Sequence, residues 1–571
     1  MSRRRTVART RPRGAIAIAA RAASVAPPVA LAAAALLAVI GAAGTGAGLG
    51  SVLALVLPID PLAVEPLDAA AAAVAFGALA VGLVRRKRMA RILAAATFAG
   101  ALAGQALTLH HPIAAALAAG CLLLLLRDRR RYQVETDRAT RPLLVALLVA
   151  EVAILVVGSI ASDVVAASAQ GSPLDVVANW VAGILDFVDP TGLFDPAHAG
   201  DAFEVLESMA AVAAVVAAVA VLRAVPDRPA PDLLERNRDV ARRNAHGALA
   251  PFQLGADKLF FALPRREAAI AYGRAGRMAV ILGDPIGPGA DAWRTFLAFV
   301  RRCERGDVAV GVYQASEEFR PCLVAAGFRC LPIGQEAIVD LASFDLSGPR
   351  RANLRHTVAR CRRAGITVRW YPAGLPAADV AALGPDLADI DREWRSRRGP
   401  QLRFTIGAFA TADLGRVGVA VAMDPDGRPE GFATFRRVDT DRWVLDLLRR
   451  RPHGTPGALE ACLAQAAGAM RAAGDRELSL GLVALAGLRV GQGSVEARLL
   501  ALAARAVRPF YDVRTLAFFK GKFDPRWEPR YAGLHGALSG LPFAASLLWL
   551  HVRPAARPDG QASAAGSAAR L

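Results

Sequence analysis

The apolar residues of this chain are segregated, and that segregation limits the folds open to it. They crowd into the stretch before about residue 225, and a polar half follows. Of 571 residues 54% are hydrophobic, high for a soluble protein, so the excess points to a membrane domain followed by a soluble one. Six apolar segments are long enough, or nearly so, to span a bilayer: 27–57, 67–84, 92–109, 112–126, 142–160 and 204–223. The first is interrupted by Gly41, Gly44, Gly46, Gly48 and Gly50, which fits one span followed by an interfacial piece, and the fourth is short.

The loops between these segments alternate in charge. Arginines 3, 4, 5, 9, 11 and 13 mark the N-terminus, and no Lys or Arg occurs from 22 to 84. Arg85-Arg86-Lys87-Arg88 and Arg91 follow, then a turn at His110–His111 without Lys or Arg, then Arg127-Asp128-Arg129-Arg130-Arg131. From 142 to 222 Lys and Arg are again absent, while acids accumulate in one loop. By the positive-inside rule the N-terminus and the polar half both lie on the cytoplasmic side of the cell membrane. No short apolar region ends in a clear cleavage site, so a cleaved signal peptide is not expected. Glu151 and Asp68 fall within or at the edge of spans, with no role assigned.

The polar half alternates short apolar runs with helical stretches. Met278–Leu282, Val308–Tyr313, Ile366–Trp370, Gly431–Phe435 and Arg442–Asp446 read as strands. Helices are expected at 290–304, 317–326, 350–364, 376–396, 455–473 and 494–509. The order strand, turn, strand, strand, helix, strand, helix occurs on each side of about residue 376, which gives two similar α/β lobes. There is no P-loop, no GxGxxG and no GxSxG, which argues against nucleotide hydrolysis, a Rossmann cofactor and an α/β-hydrolase. The six cysteines show no CxxC spacing and the eight histidines no ligand spacing, so neither a disulfide framework nor a metal site is expected. A net charge of +19 suits anionic partners, although a high-GC genome that inflates Ala and Arg also explains it.

Lys520 and Lys522 lie two apart among aromatic residues. On a strand both ammonium groups would share one face, with Phe519, Gly521 and Phe523 on the other. Two such cations against apolar neighbours suit an anion or a developing oxyanion, while the bland alternative is an edge strand guarded by lysines.

An ordered series of positions runs through the polar half: Gly255-Ala-Asp-Lys258, Gly283-Asp-Pro-Ile-Gly287, Gly334-Gln-Glu-Ala337, Asn353-Leu-Arg355 leading to Arg363, Trp394, Phe404, Gly407, Asp446-Leu-Leu-Arg-Arg450, Gly457 with Glu460, Leu480-Gly481, Phe510-Tyr511 and 520–527. Over about 300 residues this series resembles the synthase domain of the multiple peptide resistance factor family, the aminoacyl-phosphatidylglycerol synthases or phosphatidylglycerol lysyltransferases. The resemblance implies two tandem acetyltransferase-like (GNAT) α/β lobes, following the multi-span α-helical membrane domain that the apolar segments predict. With the apolar segments and the composition it divides the chain into a basic cytoplasmic N-terminus (1–25), a six-span domain (26–225), a first lobe (229–375), a second lobe with the catalytic site (376–552) and a disordered tail (553–571). It departs from the family at Leu480-Gly-Leu-Val-Ala-Leu485, usually Leu-Gly-Met-Ala-Pro-Leu, and at Phe404-Thr-Ile-Gly-Ala-Phe409, where an Arg is lost.

The resemblance also implies an activity: an aminoacyl group, lysyl first among the candidates, moves from charged tRNA to the headgroup hydroxyl of phosphatidylglycerol. The membrane surface becomes less negative, which gives resistance to cationic peptides. No cofactor or metal is implied, because the aminoacyl ester is already activated. Some relatives carry a lysyl-tRNA synthetase module; here an Ala/Gly/Ser-rich tail closes the chain, so charged tRNA is expected from elsewhere. Asp446, Arg449, Lys520 and Lys522 are the catalytic candidates, Asp446 for the aminoacyl ammonium or for deprotonation, Arg449 for a phosphate, and the lysines for a phosphate or the oxyanion. An internal Asp446–Arg449 ion pair is the bland alternative. Glu460, Arg450, Phe404, Tyr511, Arg355 and Arg363 are the substrate-binding candidates. Arginines 350–363 and 392–398 suit a tRNA acceptor stem or the inner leaflet, and 536–551 suits the membrane surface or a cap on the second lobe. The amino acid and homo-oligomerisation stay open. Two rival readings are a membrane-tethered acyltransferase with another donor or acceptor, and a non-catalytic lipid-binding scaffold.

Overall fold

The computed structural model describes residues 25–42, 66–108, 112–137, 220–225, 231–398, 403–486, 513–536 and 540–552, with isolated positions at 142, 215 and 216. The chain forms two compact units, residues 1–226 with 304–307, and the remainder to 571.

Among the described residues the first unit is helical. Ala26–Ala42, Pro66–Val84, Arg88–Thr108 and Pro112–Arg127 are helices of 17, 19, 21 and 16 residues. They pack through small side chains: Gly82 faces Ala90 so closely that a Cβ there would sit 2.6 Å from the alanine methyl. Leu31, Leu79, Leu83, Ala90, Ala94 and Leu125 form the core. Among the described residues no helix is long and apolar enough to cross a membrane. The fifth and sixth expected spans lie almost entirely outside the described residues.

Among the described residues the second unit is built on one eleven-stranded sheet, ordered β1-β2-β3-β4-β11-β5-β10-β9-β8-β7-β6. The strands are β1 Leu259–Ala262, β2 Ala269–Ala275, β3 Met278–Leu282, β4 Ala309–Ala315, β5 Phe328–Asp340, β6 Thr367–Tyr371, β7 Gly418–Met423, β8 Pro429–Arg437, β9 Arg442–Arg450, β10 Glu477–Ala484 and β11 Arg526–His535. The repeat expected on either side of residue 376 is visible in it. In the first repeat β3 leads through the helix Gly289–Arg305 to β4, parallel to β3, and then through Arg320–Ala325 to β5. In the second, β9 leads through the helix Ala458–Ala472 to β10, parallel to β9, and then through Val513–Gly521 to β11. The repeats exchange their last strands. β11 pairs with β4, β5 pairs with β10, and β5 and β11 pair with each other over ten residues. The two lobes therefore share hydrogen bonds across a common seam.

β3 and β7 are buried at every position, as strands covered on both faces should be. The helix Ala458–Ala472 lies close to the sheet because its buried stripe is mostly alanine: 458, 461, 464, 466 and 467. It joins Leu354, Phe435, Trp443, Leu478 and Phe523 in the largest cluster on one face. On the other face the helix Ala377–Arg398 presents Leu387 and Ile390 to Val419, Val421 and Phe432.

Candidate active site at the parting of β9 and β10

The two parallel pairs at the heart of the repeats differ. β3 and β4 pair over five residues, Met278–Leu282 with Ala309–Tyr313. β9 and β10 pair only over Arg442–Val444 and Glu477–Ser479. Past Val444 and Ser479 each strand stays bound to its outer neighbour, and both are irregular there: β9 between Leu445 and Leu447, β10 between Ser479 and Leu482. An opening between parallel strands exposes backbone polar groups that regular pairing would consume.

Asp446 is the extra residue of the β9 irregularity. On a regular strand it and Arg449, three apart, would face opposite sides. The bulge removes that alternation. Arg449 pairs directly with Phe432, which packs against Leu387 and Ile390, and Asp446 reaches Arg436 further along the same face of β8. The two residues share a face, yet they are not each other's partners. Asp446 accepts the Gly407 N–H at 2.7 Å on one oxygen and the Arg436 Nε–H at 2.6 Å on the other. Arg449 donates through Nε to Asp391 at 2.9 Å, and its guanidinium carbon lies 3.8 Å from the centroid of the Trp394 ring. Burial lowers the Arg449 pKa, while Asp391 acts in the opposite direction. Asp391 also accepts from Arg395 at 2.7 Å. The simple ion pair weighed for Asp446 and Arg449 is thus replaced by two pairs, with partners 10 and 58 residues away.

The lysines correct the strand expectation. Lys520 lies on the last turn of the helix Val513–Gly521, and Lys522 follows in a turn closed by Lys522 N–H to Phe519 O and Phe523 N–H to Lys520 O. Phe519 and Phe523 both pack under the sheet, and Asp524 at φ +52° ends the turn before Pro525. The ammonium groups diverge. Lys520 Nζ donates to the carbonyls of Gly481 at 3.0 Å and Leu482 at 3.2 Å, at the β10 irregularity. Burial pulls its pKa from 10.5 down to about 7, against the opposing pull of Glu336. Lys522 instead forms an ion pair with Glu460 at 2.8 Å.

Sequence reasoning had not assigned Glu336 to the site, although it stands inside a matched stretch. It is a buried acid on β5, at the seam. It accepts from Ser479 Oγ on β10 and from Arg530 Nε on β11 at 2.7 Å, so it ties together the strands that the lobes exchange. Its sequence signal was a carboxylate directly before the apolar run Ala337–Val339.

The other expected residues divide. Phe404, in the left-handed region at φ +72°, is buried with Lys258 Nζ 4.5 Å from its ring centroid and His551 at its edge. It anchors the loop that brings Gly407 to Asp446; a Cβ on Gly407 would meet Asp446 Oδ1 at 2.3 Å. Arg450 donates to Gly454 O, and Arg355 clasps the carbonyls of Leu346 and Gly348, so both brace loops. Arg363 is exposed. Tyr511 lies outside the described residues, as does the expected helix 494–509. Among the described residues no cluster of three or more His, Cys, Asp or Glu could hold a metal ion.

The family described as phosphatidylglycerol lysyltransferase, C-terminal, matches residues 237–533 of this chain. The chain belongs to that family. The match takes in every strand of the eleven-stranded sheet except the last two residues of β11, and its range includes Asp446, Arg449, Lys520 and Glu336. The lysyltransferase family likeness extends to curated relatives named lysylphosphatidylglycerol biosynthesis bifunctional protein LysX. That of Mycobacterium ulcerans is 29% identical over 299 residues, which are 48% of this chain and 26% of the relative. That of Mycobacterium tuberculosis H37Rv is 30% identical over 300 residues, 48% and 25% of the two chains. The chain thus spans about a quarter of the length of these relatives. Among solved structures, a C-terminal domain (DUF2156) from Agrobacterium fabrum aligns at 25% identity and TM-score 0.49, covering 56% of this chain and 97% of its own. L-PGS from Bacillus licheniformis aligns at 23% identity and TM-score 0.47, with 58% and 99% covered.

Proposed function

We propose that this lysyltransferase-family chain moves an aminoacyl group, lysine first among the candidates, from charged tRNA to a hydroxyl of phosphatidylglycerol at the cytoplasmic face of a membrane. The observation that carries this reading is the buried amine of Lys520, held against the Gly481 and Leu482 carbonyls where β9 and β10 part, a burial that lowers its pKa to about 7. The reaction exchanges one ester for another. The carbonyl carbon of the aminoacyl group forms a bond to the lipid hydroxyl oxygen, its bond to the ribose oxygen breaks, and the hydroxyl proton passes to the ribose oxygen. No external energy source is needed.

Such a reaction wants a group that can take and return a proton near neutral pH, and a held substrate. A neutral Lys520 spends its two N–H bonds on the Gly481 and Leu482 carbonyls, and its lone pair remains for the proton. The lysine and its backbone frame would serve as acid–base group, while Asp446, held by Gly407 and Arg436 on the face that carries the helix Ala377–Arg398, would meet the aminoacyl ammonium only if the substrate threads the opening between β9 and β10. Arg449, locked between Asp391 and Trp394, suits a positioning role more than a mobile phosphate ligand. Lys522, neutralised by Glu460, shapes the approach.

Membrane attachment, cytoplasmic placement and a role in resistance to cationic peptides belong to the same proposal. The alternating loop charges support them. So does the helix Gly540–Val552, which buries Phe543 and Leu550 in the protein and leaves Leu541, Leu548 and Trp549 exposed, a composition suited to a lipid interface.

The test is to incubate the purified full chain with phosphatidylglycerol vesicles and tRNA charged with labelled lysine, then extract lipids for mass spectrometry. A product heavier than phosphatidylglycerol by one lysyl residue, abolished by ribonuclease, is expected. Transfer from an acyl thioester that survives ribonuclease would replace the donor. No transfer from any charged tRNA pool would end the reading.

A further inference from the structure

The first unit contains a cavity that the transferase chemistry does not use. Its volume is about 540 Å³, within the range of small-ligand sites. Its walls come from two basic segments far apart in sequence: the first turn of the helix Arg88–Thr108, and residues 129–136. The backbone fixes them to each other. Arg88 N–H donates to Val134 O at 3.0 Å, and Val134 N–H donates to Arg86 O at 3.2 Å.

The charge in this cavity is one-sided. Arg88, Arg91, Arg129 and Arg130 line it against a single carboxylate, Glu135. The helix that opens on it runs 21 residues and carries no acid in its first turn, so no side chain of its own first turn offsets the positive dipole end. Two lining groups are orphaned: Arg91 Nε and Thr136 Oγ1 are both buried without a hydrogen-bond partner. Thr136 is only 2% exposed, so water does not satisfy it from bulk solvent. A buried hydroxyl and a buried guanidinium N–H left unpaired are costly, and a multi-oxygen anion is the kind of ligand that pairs with such donors.

We propose that this cavity is a binding site for a phosphate group, monoester or diester, independent of the transferase site. Guanidinium forks, a hydroxyl donor and a helix N-terminus are the donor set for tetrahedral oxyanions. Two sources present that chemistry, the headgroup of an anionic phospholipid and a soluble phosphate. The test separates them.

The full-length protein in detergent would be titrated by calorimetry with dihexanoyl-phosphatidylglycerol and, separately, with inorganic phosphate. A saturable component is expected whose Kd rises at least ten-fold in the double variant Arg91→Gln/Arg130→Gln. It should rise several-fold in Thr136→Val. Arg301→Gln, which removes an exposed arginine outside the cavity, should leave it unchanged. If phosphate alone shows this dependence, the soluble anion suffices; if only the lipid does, the headgroup is the ligand. Equal weakening in Arg301→Gln would mean diffuse attraction to a basic protein and would overturn the proposal, as would the absence of any saturable component. Thr136→Val guards against misfolding, because it keeps side-chain shape and removes an orphaned hydroxyl. If it melts like the wild-type protein and also binds like it, the site is not there.

Discussion

Single residues carry the site through what they are denied. Gly407 donates its N–H to Asp446 from so close that only hydrogen fits on its α-carbon. In Gly407→Ala the methyl must push either the loop or the carboxylate away. Transfer should fall at least ten-fold, with a stability loss of about 1–3 kcal/mol, the usual range for a local clash. Paired assays of turnover and thermal melting would show it, and unchanged turnover would remove Asp446 from the site. Lys520 makes a second, pH-dependent case. Its folded pKa of about 7 lies below the 10.5 of the free side chain, so between those values the unfolded chain holds the proton and the folded chain does not. Stability therefore rises with pH across that window, and the full cost of burial is felt below about pH 7. Lys520→Met removes the titration. The variant should be a few kcal/mol more stable than the wild type at pH 6, and the gain should shrink towards pH 10. Turnover of the wild type should climb to a plateau above about pH 7, and the variant should be inactive. A variant that gains no stability at low pH would show that the buried lysine is not held neutral.

At the scale of elements, sequence and structure agree where periodicity speaks and part where tertiary contacts decide. Met278–Leu282 is a strand at the expected limits, and the helices at 289–305, 352–363, 377–398 and 458–472 fall within three residues of expectation. Each has an apolar pattern long enough to fix its period. The segment around Lys520 has no such length. Alternating lysines and aromatics at 519–523 fit a strand, and the same residues fit a helix end with Phe519 and Phe523 four apart. The aromatic pair wins because both rings enter the core under the sheet. Phe523→Ala should then cost about 3–5 kcal/mol and loosen Lys520 from its carbonyls, raising its pKa as water enters. Differential scanning calorimetry and the pH profile of turnover would register both effects; a melt unchanged by the substitution would contradict this packing. The candidate site was legible in part for the same reason. Asp446 and Arg449 could be found from their motif, but their real partners, Arg436 and Asp391, could not. Both partnerships depend on a bulge and on a helix laid over the sheet, which no local spacing encodes. Glu336 escaped because its meaning arises only where β5, β10 and β11 meet.

For the molecule as a whole the decisive feature of the second unit is its exchanged strands. The two repeats look separable in sequence, and separate lobes would melt independently. Here β11 completes the first repeat and β5 the second, and Glu336 bonds to residues on both flanking strands. Loss of either lobe strips a partner from the other and strands Glu336 and Arg530 in the interior as unpaired charges, which is strongly destabilising. The two lobes should therefore unfold as one cooperative unit. Phe299→Ala in the first repeat and Phe435→Ala in the second each delete a fully buried ring, at a cost of about 3–5 kcal/mol. Hydrogen exchange on the full chain would read the consequence. Each substitution should accelerate the slowest amides of both repeats by a similar factor, because those amides exchange only through opening of the whole sheet. If Phe299→Ala speeds exchange in β2–β4 and leaves β7–β9 untouched, the lobes are autonomous and the shared seam is only a contact. Cooperativity of this kind has a functional side. Lys520 is held by β10, a strand paired with β5 of the first repeat, so damage to a lobe that contributes no catalytic candidate should still reach the pKa of the amine.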